Sequence, residues 1–122
     1  MLKLRLNELR DTKTGHILGD LLPGDYLCAG GLAFAKPGDR SHSNEGPGGT
    51  DLHTHADREA FIILQGRGVM EVNGEEHPVT TGDILVIEPG EDHHLRSSQE
   101  DPVVTLWCHA GSDRHQNQRK PV

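Results

Sequence analysis

The segment GGTDLHTHADREAFIILQG, residues 48–66, places two histidines, a glutamate and an apolar run side by side. Successive side chains of an extended chain point to opposite faces, so residues two apart share a face. His53 and His55 therefore project to one side. Glu59 keeps their parity past a bend expected at Ala56–Arg58. Two imidazoles and a carboxylate this close make most of a metal shell. That donor mix suits Fe, Mn, Zn, Ni or Cu better than Ca or Mg. Phe61 and Ile63 share the parity of Glu59 and are expected to line a cavity beside the metal. Ala60, Ile62 and Leu64 form the opposite face of the same strand, and it is apolar too.

Outward from this segment the chain reads as short strands and turns. DLHTHA (51–56) and REAFIILQG (58–66) are read as strands. GVMEVNGEEHPV (68–79) carries Asn73-Gly74, a strong hairpin signal. GDILVIEPGEDHH (82–94) gives a strand over Ile84–Ile87, a turn at Pro89-Gly90 and a new strand starting at His93. A histidine in that first position can face the His53/His55 pair from a neighbouring strand and supply a fourth ligand. His94 is then expected to point outward, at a surface or interface. VVTLWCHA (103–110) is the last strand, and His109 at its end is weighed as a barrel-lining residue of no assigned role. Upstream, YLCAGGLAFA (26–35) and the alternating Leu2, Leu4 and Leu6 read as strands.

KPGDRSHSNEGPGG (36–49) has no apolar residue but proline and is expected to be an exposed loop. Arg40 and His42 within it, and Arg58 after it, are weighed as contacts to a substrate carboxylate. The commoner reading is solvated charge. Glu75, Glu76, Glu91 and Asp92 sit at turns and are read as solvated. His16, His77 and His115 receive no role. At least six short strands spaced roughly 8–12 residues apart, with no helical pattern, define an all-β sandwich or barrel. No internal repeat appears, so the barrel is single.

Residues 48–66 resemble the first motif of the cupin superfamily: the His-x-His pair, the gap to Glu59 and the gap to Gly66 all match. Residues 82–93 resemble the second motif, with Gly82, Gly90 and His93 in place. The departures are Pro47 for a leading glycine, Glu88 where the motif has proline (Pro89 follows one residue late) and Ser97 at the closing position. These positions shape turns and do not ligate metal. The resemblance implies a small single-domain jelly-roll barrel over residues 1–122, with a core at about 26–110 and a polar tail at 111–122. It implies one divalent transition metal held by His53, His55, Glu59 and His93.

A chain of 122 residues supports one core. The formal net charge of −7 is repelled by phosphate backbones, so nucleic acid is not an expected partner. No apolar run approaches the ~18–20 residues that cross a bilayer, so no membrane association is expected. The N-terminus does not read as a secretory signal, which makes the cytoplasm the default location. Cys28 and Cys108 are read as small buried hydrophobes, with a bridge between them a minor option. Strands apolar on both faces, around Ile62 and Val86, imply a covering layer, and a homodimer is expected to supply it.

Four protein ligands leave open positions on a six-coordinate metal. Resemblance to small cupins implies dioxygenases, isomerases, lyases and decarboxylases that act on small, oxygen-rich molecules. Glu59 is the candidate catalytic ligand, because a carboxylate can loosen and take a proton. The alternative is a non-catalytic module in which the metal holds a sugar or carboxylate ligand. A structural metal is disfavoured, since such sites are closed and rich in Cys.

Overall fold

A computed structural model describes residues 1–5 and 29–109. Among the described residues eight strands follow one another: β1 Leu2–Arg5, β2 Ala29–Phe34, β3 Glu59–Gln65, β4 Arg67–Val72, β5 Glu75–Thr80, β6 Asp83–Ile87, β7 His93–Ser97 and β8 Val104–His109. They form two antiparallel sheets, a five-stranded one in the order β1-β6-β3-β8-β2 and a three-stranded one in the order β5-β4-β7. This is the all-β architecture expected from the strand spacing, in the jelly-roll form that the resemblance implies. His16, His115, Cys28 and the tail 111–122 lie outside the described residues.

The turns follow from residue chemistry. Asn73 and Gly74 both have positive φ, 48° and 84°, as a two-residue type I′ hairpin requires. Gly66 joins β3 to β4 at φ 84°, and a Cβ there would strike the Pro102 carbonyl. Only glycine fits that conformation and that space together.

The two sheets meet over a core of Ile63, Leu85 and Ile87 from one side and Met70, Val72, Val79 and Leu95 from the other, closed by Val103. Ile63, with no exposed surface, belongs to this core. It lies one pleat deeper than Phe61 and does not line the cavity described below.

Three expectations change. The first concerns residues 51–56, which form no strand and join no ladder. Their backbone groups are taken up by the turn before β7 instead: the His53 amide donates to Asp92 Oδ1 at 2.7 Å, and the His93 and Gly90 amides donate to the carbonyls of His53 and His55.

The second concerns the loop 36–49, which is not simply solvated. Ser41 donates its amide to the Leu95 carbonyl, and its hydroxyl accepts the Leu95 amide. Arg40 bridges to Arg96 and pairs with Glu71. The segment is thereby laid along β7, and His94 is buried beneath it at 2% exposure. His94 does point away from His93, but it meets the Ser41 carbonyl and Asp92, not solvent.

The third concerns the outer face of the five-stranded sheet. Ala60, Ile84, Val86 and Cys108 are buried within one chain. Ile62 and Leu106 on the same face are only half-buried, and Leu64 and Leu32 are 47% and 54% exposed, so part of this face stays open.

Asp83 opens β6 with its carboxylate almost fully enclosed. Oδ1 accepts from Arg5 Nη1 at 2.7 Å and Oδ2 accepts the Thr80 amide at 2.8 Å. Arg5 is half exposed, so the amide bond carries more weight than the ion pair. Asp83→Ala leaves that amide without its acceptor and should cost about 1–3 kcal/mol in denaturant unfolding.

Candidate metal centre

Burial alternates strictly from His53 to Glu59: His53, His55, Asp57 and Glu59 are buried, and Thr54, Ala56 and Arg58 are not. The period-two projection thus survives the absence of a ladder and carries through the expected bend, which falls at Ala56–Asp57. β7 brings His93 to the same spot. All four sequence-derived candidates enter one buried cluster, each at 7% exposure or less.

His55 Nε2 lies 2.9 Å from Glu59 Oε1 and 3.3 Å from His93 Nε2, and His93 Nε2 lies 3.2 Å from Glu59 Oε1. The donor atoms of His53, His55 and His93 all fall within 4.8 Å of one another. Cis ligands at ~2.1 Å from a metal ion sit about 3 Å apart, so these separations suit a shared ion. The outer nitrogens set the tautomers. His55 Nδ1 faces the Asp57 carbonyl at 3.0 Å, and His93 Nδ1 faces the Glu91 carbonyl at 2.9 Å. A carbonyl only accepts, so each Nδ1 carries the proton. Each imidazole then presents its Nε2 inward, as a lone pair toward a metal ion or, where that nitrogen carries a proton, as a donor toward Glu59.

Three inward-facing acceptors, two imidazole nitrogens and a carboxylate oxygen, thus converge in a buried space. They repel one another unless a cation or a proton sits between them. The donor set fits a divalent transition metal on this ground.

The structure brings in two residues to which sequence reading gave no role. His109 on β8 is in register with Glu59 on β3 and is 1% exposed. Its Nδ1 lies 2.9 Å from Asp57 Oδ2 and its Nε2 3.3 Å from Glu59 Oε2. The imidazole thus spans two carboxylates, and His55, Glu59 and His109 form a second cluster of possible ligands. Burial opposes charge on His109, but hydrogen bonding to Glu59 and then Asp57 raises its pKa overall. His55 behaves alike: burial opposes its charge, and Glu59 and Asp57 together raise its pKa. Burial alone would raise the Glu59 pKa, yet hydrogen bonds to His109, His55 and His93 hold it well below the usual carboxylate range. Asp57 carried a legible signal, its parity with His53, His55 and Glu59. His109 carried none locally, because only strand pairing brings it in.

His42 stacks on His53, with centroids 3.7 Å apart and planes 9° from parallel. Its own Nδ1 is 3.0 Å from Glu45. Arg58 pairs with Glu88 and is turned away from the cluster. Arg40 is held by Glu71 and Asp51. Asp92, expected to be solvated, instead braces the His53 amide and His94. Glu91 is half-buried and accepts the Glu88 amide.

A cavity of about 370 Å³ opens on one flank of the cluster, with Glu59, Phe61, Trp107, Leu95, Val103 and Phe34 among its walls.

Residues 40–109 match the family model of the cupin domain, which covers more than half of the chain, and the chain belongs to that family. A structure titled as a cupin protein from Bacteroides fragilis superimposes with a TM-score of 0.57 at 18% identity, over 76% of this chain and 70% of that one. A predicted oxalate decarboxylase from Thermotoga maritima superimposes with a TM-score of 0.52 at 25% identity, over 66% and 64%. Over 42 residues the chain is 48% identical to the HTH-type transcriptional activator RhaR of Mannheimia succiniciproducens, covering 34% of this chain and 15% of that protein. The chain spans half or less of the length of the curated relatives it matches. No helix among the described residues is long and apolar enough to cross a membrane.

Proposed function

We propose that this cupin holds one divalent transition metal (Fe, Mn, Ni, Zn or Cu) through His53, His55, Glu59 and His93. We further propose that it is an enzyme of the dioxygenase, isomerase or lyase class acting on a small oxygen-bearing molecule. One observation carries this reading: the buried convergence of His55 Nε2, His93 Nε2 and Glu59 Oε1 at 2.9–3.3 Å, with the outer nitrogens tied to backbone carbonyls. The bound metal would supply Lewis acidity toward a substrate oxygen. The protein's own part is to bury the cluster, to leave Glu59 facing the cavity and to keep it ionised. Glu59 touches both the cluster and the cavity, so it is the group placed to hold or pass a proton.

Elemental analysis of untagged protein should find close to one transition metal per chain. Turnover screens under air and under nitrogen then separate oxygen-dependent from oxygen-independent chemistry. A well-folded protein that takes up none of the five metals refutes the reading.

The match to part of a transcriptional activator favours a second reading, a non-catalytic module in which the same centre holds a ligand for sensing. In that case a compound bound by the metal-loaded protein is recovered unchanged after long incubation. Cytoplasmic location and self-association as a homodimer stay within this proposal and rest on the sequence alone.

A further inference from the structure

The cavity beside the cluster differs in character from the centre it adjoins. Its wall is largely apolar, built from Phe34, Phe61, Leu95, Val103 and Trp107 with small alanines between them. Its polar residues are mostly committed to the protein itself. Thr105 donates its hydroxyl to the Ile62 carbonyl. The Ser41 hydroxyl accepts the Leu95 amide. Arg40 spends its guanidinium on Glu71, Asp51 and Ser43. His42 is stacked on His53 and meets Glu45. A polyhydroxylated sugar would lose its water here and find few partners in return, which is costly. A dianion of oxalate's size would leave most of the wall untouched. It would also find the nearest guanidinium already neutralised by two carboxylates, in a chain of net charge −7.

The cavity volume, about 370 Å³, falls at the small end of the ~300–1,000 Å³ usual for small-molecule pockets. Such pockets pair apolar walls with a few polar groups at one end that fix orientation. Here the polar end is Glu59 and the cluster behind it.

We propose that the cavity takes a small molecule with a flat aromatic body and adjacent oxygen donors at one end. The body lies among Phe34, Phe61 and Trp107, and the donors face the centre at Glu59. This rests on the metal-centre reading above and names its substrate class.

The test uses the full chain, metal-loaded, with metal content measured on the same preparation. Trp107 is the sole tryptophan of the sequence and lines the cavity, so its emission reports occupancy directly. The probes are 2,3-dihydroxynaphthalene, oxalate and glucose, titrated by calorimetry with Trp107 emission as the local reporter. Dihydroxynaphthalene should bind at least about tenfold more tightly than oxalate or glucose and should perturb Trp107. Phe61→Ala should weaken it about tenfold, as expected for loss of an aromatic contact, with metal content unchanged. Phe34→Ser is the companion variant, since Phe34 is 72% exposed at the cavity and its loss should leave folding intact. It should weaken the same probe in the same direction.

A metal-loaded chain that prefers oxalate or glucose overturns the substrate class alone. So does one whose affinity for dihydroxynaphthalene ignores both variants. A chain that takes up no metal overturns the metal-centre reading and this proposal together.

Discussion

His55→Ala should empty the metal centre. His55 is the one residue common to both groups of converging ligands, and its Nε2 lies within 3.3 Å of both Glu59 and His93. Removing a partner that only orients a ligand typically costs ~10–100-fold in metal affinity. Removing this ligand should cost more than that, and elemental analysis should find the purified variant nearly metal-free. The variant also deprives the buried Glu59 carboxylate of a hydrogen-bond partner, so about 1–3 kcal/mol of stability should go as well. His93→Ala should behave the same way. His77→Ala, at a half-buried position of the largely exposed β5, should retain full metal and serves as the control. If His55→Ala keeps its metal, the ion is held elsewhere. Protons compete with metal for imidazole nitrogen, so occupancy of the unaltered protein should decline as pH drops below ~6.

That result would test what was most legible in the sequence. The alternation at His53, His55 and Glu59 is a property of extended backbone and holds although residues 51–56 join no ladder. The hairpin at Asn73-Gly74 was legible because positive φ at two successive positions restricts the residues that fit. Contacts made by chain segments far apart in sequence were not legible. His94 looks like a surface residue until the loop around Ser41 is laid over β7. Ile63 has the parity of a cavity residue, but depth along the strand, not parity, decides whether a side chain meets the cavity or the closed core. The apolar outer face around Ile62 and Val86 pointed to a covering layer; Val86 is buried inside the single chain, whereas Ile62 is half-buried and Leu64 is exposed. Arg40 and Arg58 illustrate the converse. Charged residues near a site in sequence found carboxylates of the protein itself, Glu71 and Asp51 for one and Glu88 for the other.

His109 is the clearest case of a residue that only the fold reveals, and its removal carries the second large expected effect. The ladder between β3 and β8 sets it opposite Glu59. From there it reaches Glu59 Oε2 with one nitrogen and Asp57 with the other. Oε1 of the same carboxylate faces His55 and His93. The imidazole therefore fixes which oxygen of Glu59 turns toward the centre and which turns away. His109→Ala should free that carboxylate to rotate. Metal affinity should fall ~10–100-fold, the range for lost outer partners of metal ligands. The visible spectrum of the cobalt-substituted protein should shift, because the oxygen facing the ion is no longer fixed. Asp57→Asn keeps the shape of the contact and removes its charge, so it should move both readouts in the same direction by less. A residue that merely fills space would lower the unfolding midpoint and leave affinity and spectrum where they were. Unchanged cobalt spectra in both variants would therefore reduce His109 and Asp57 to packing.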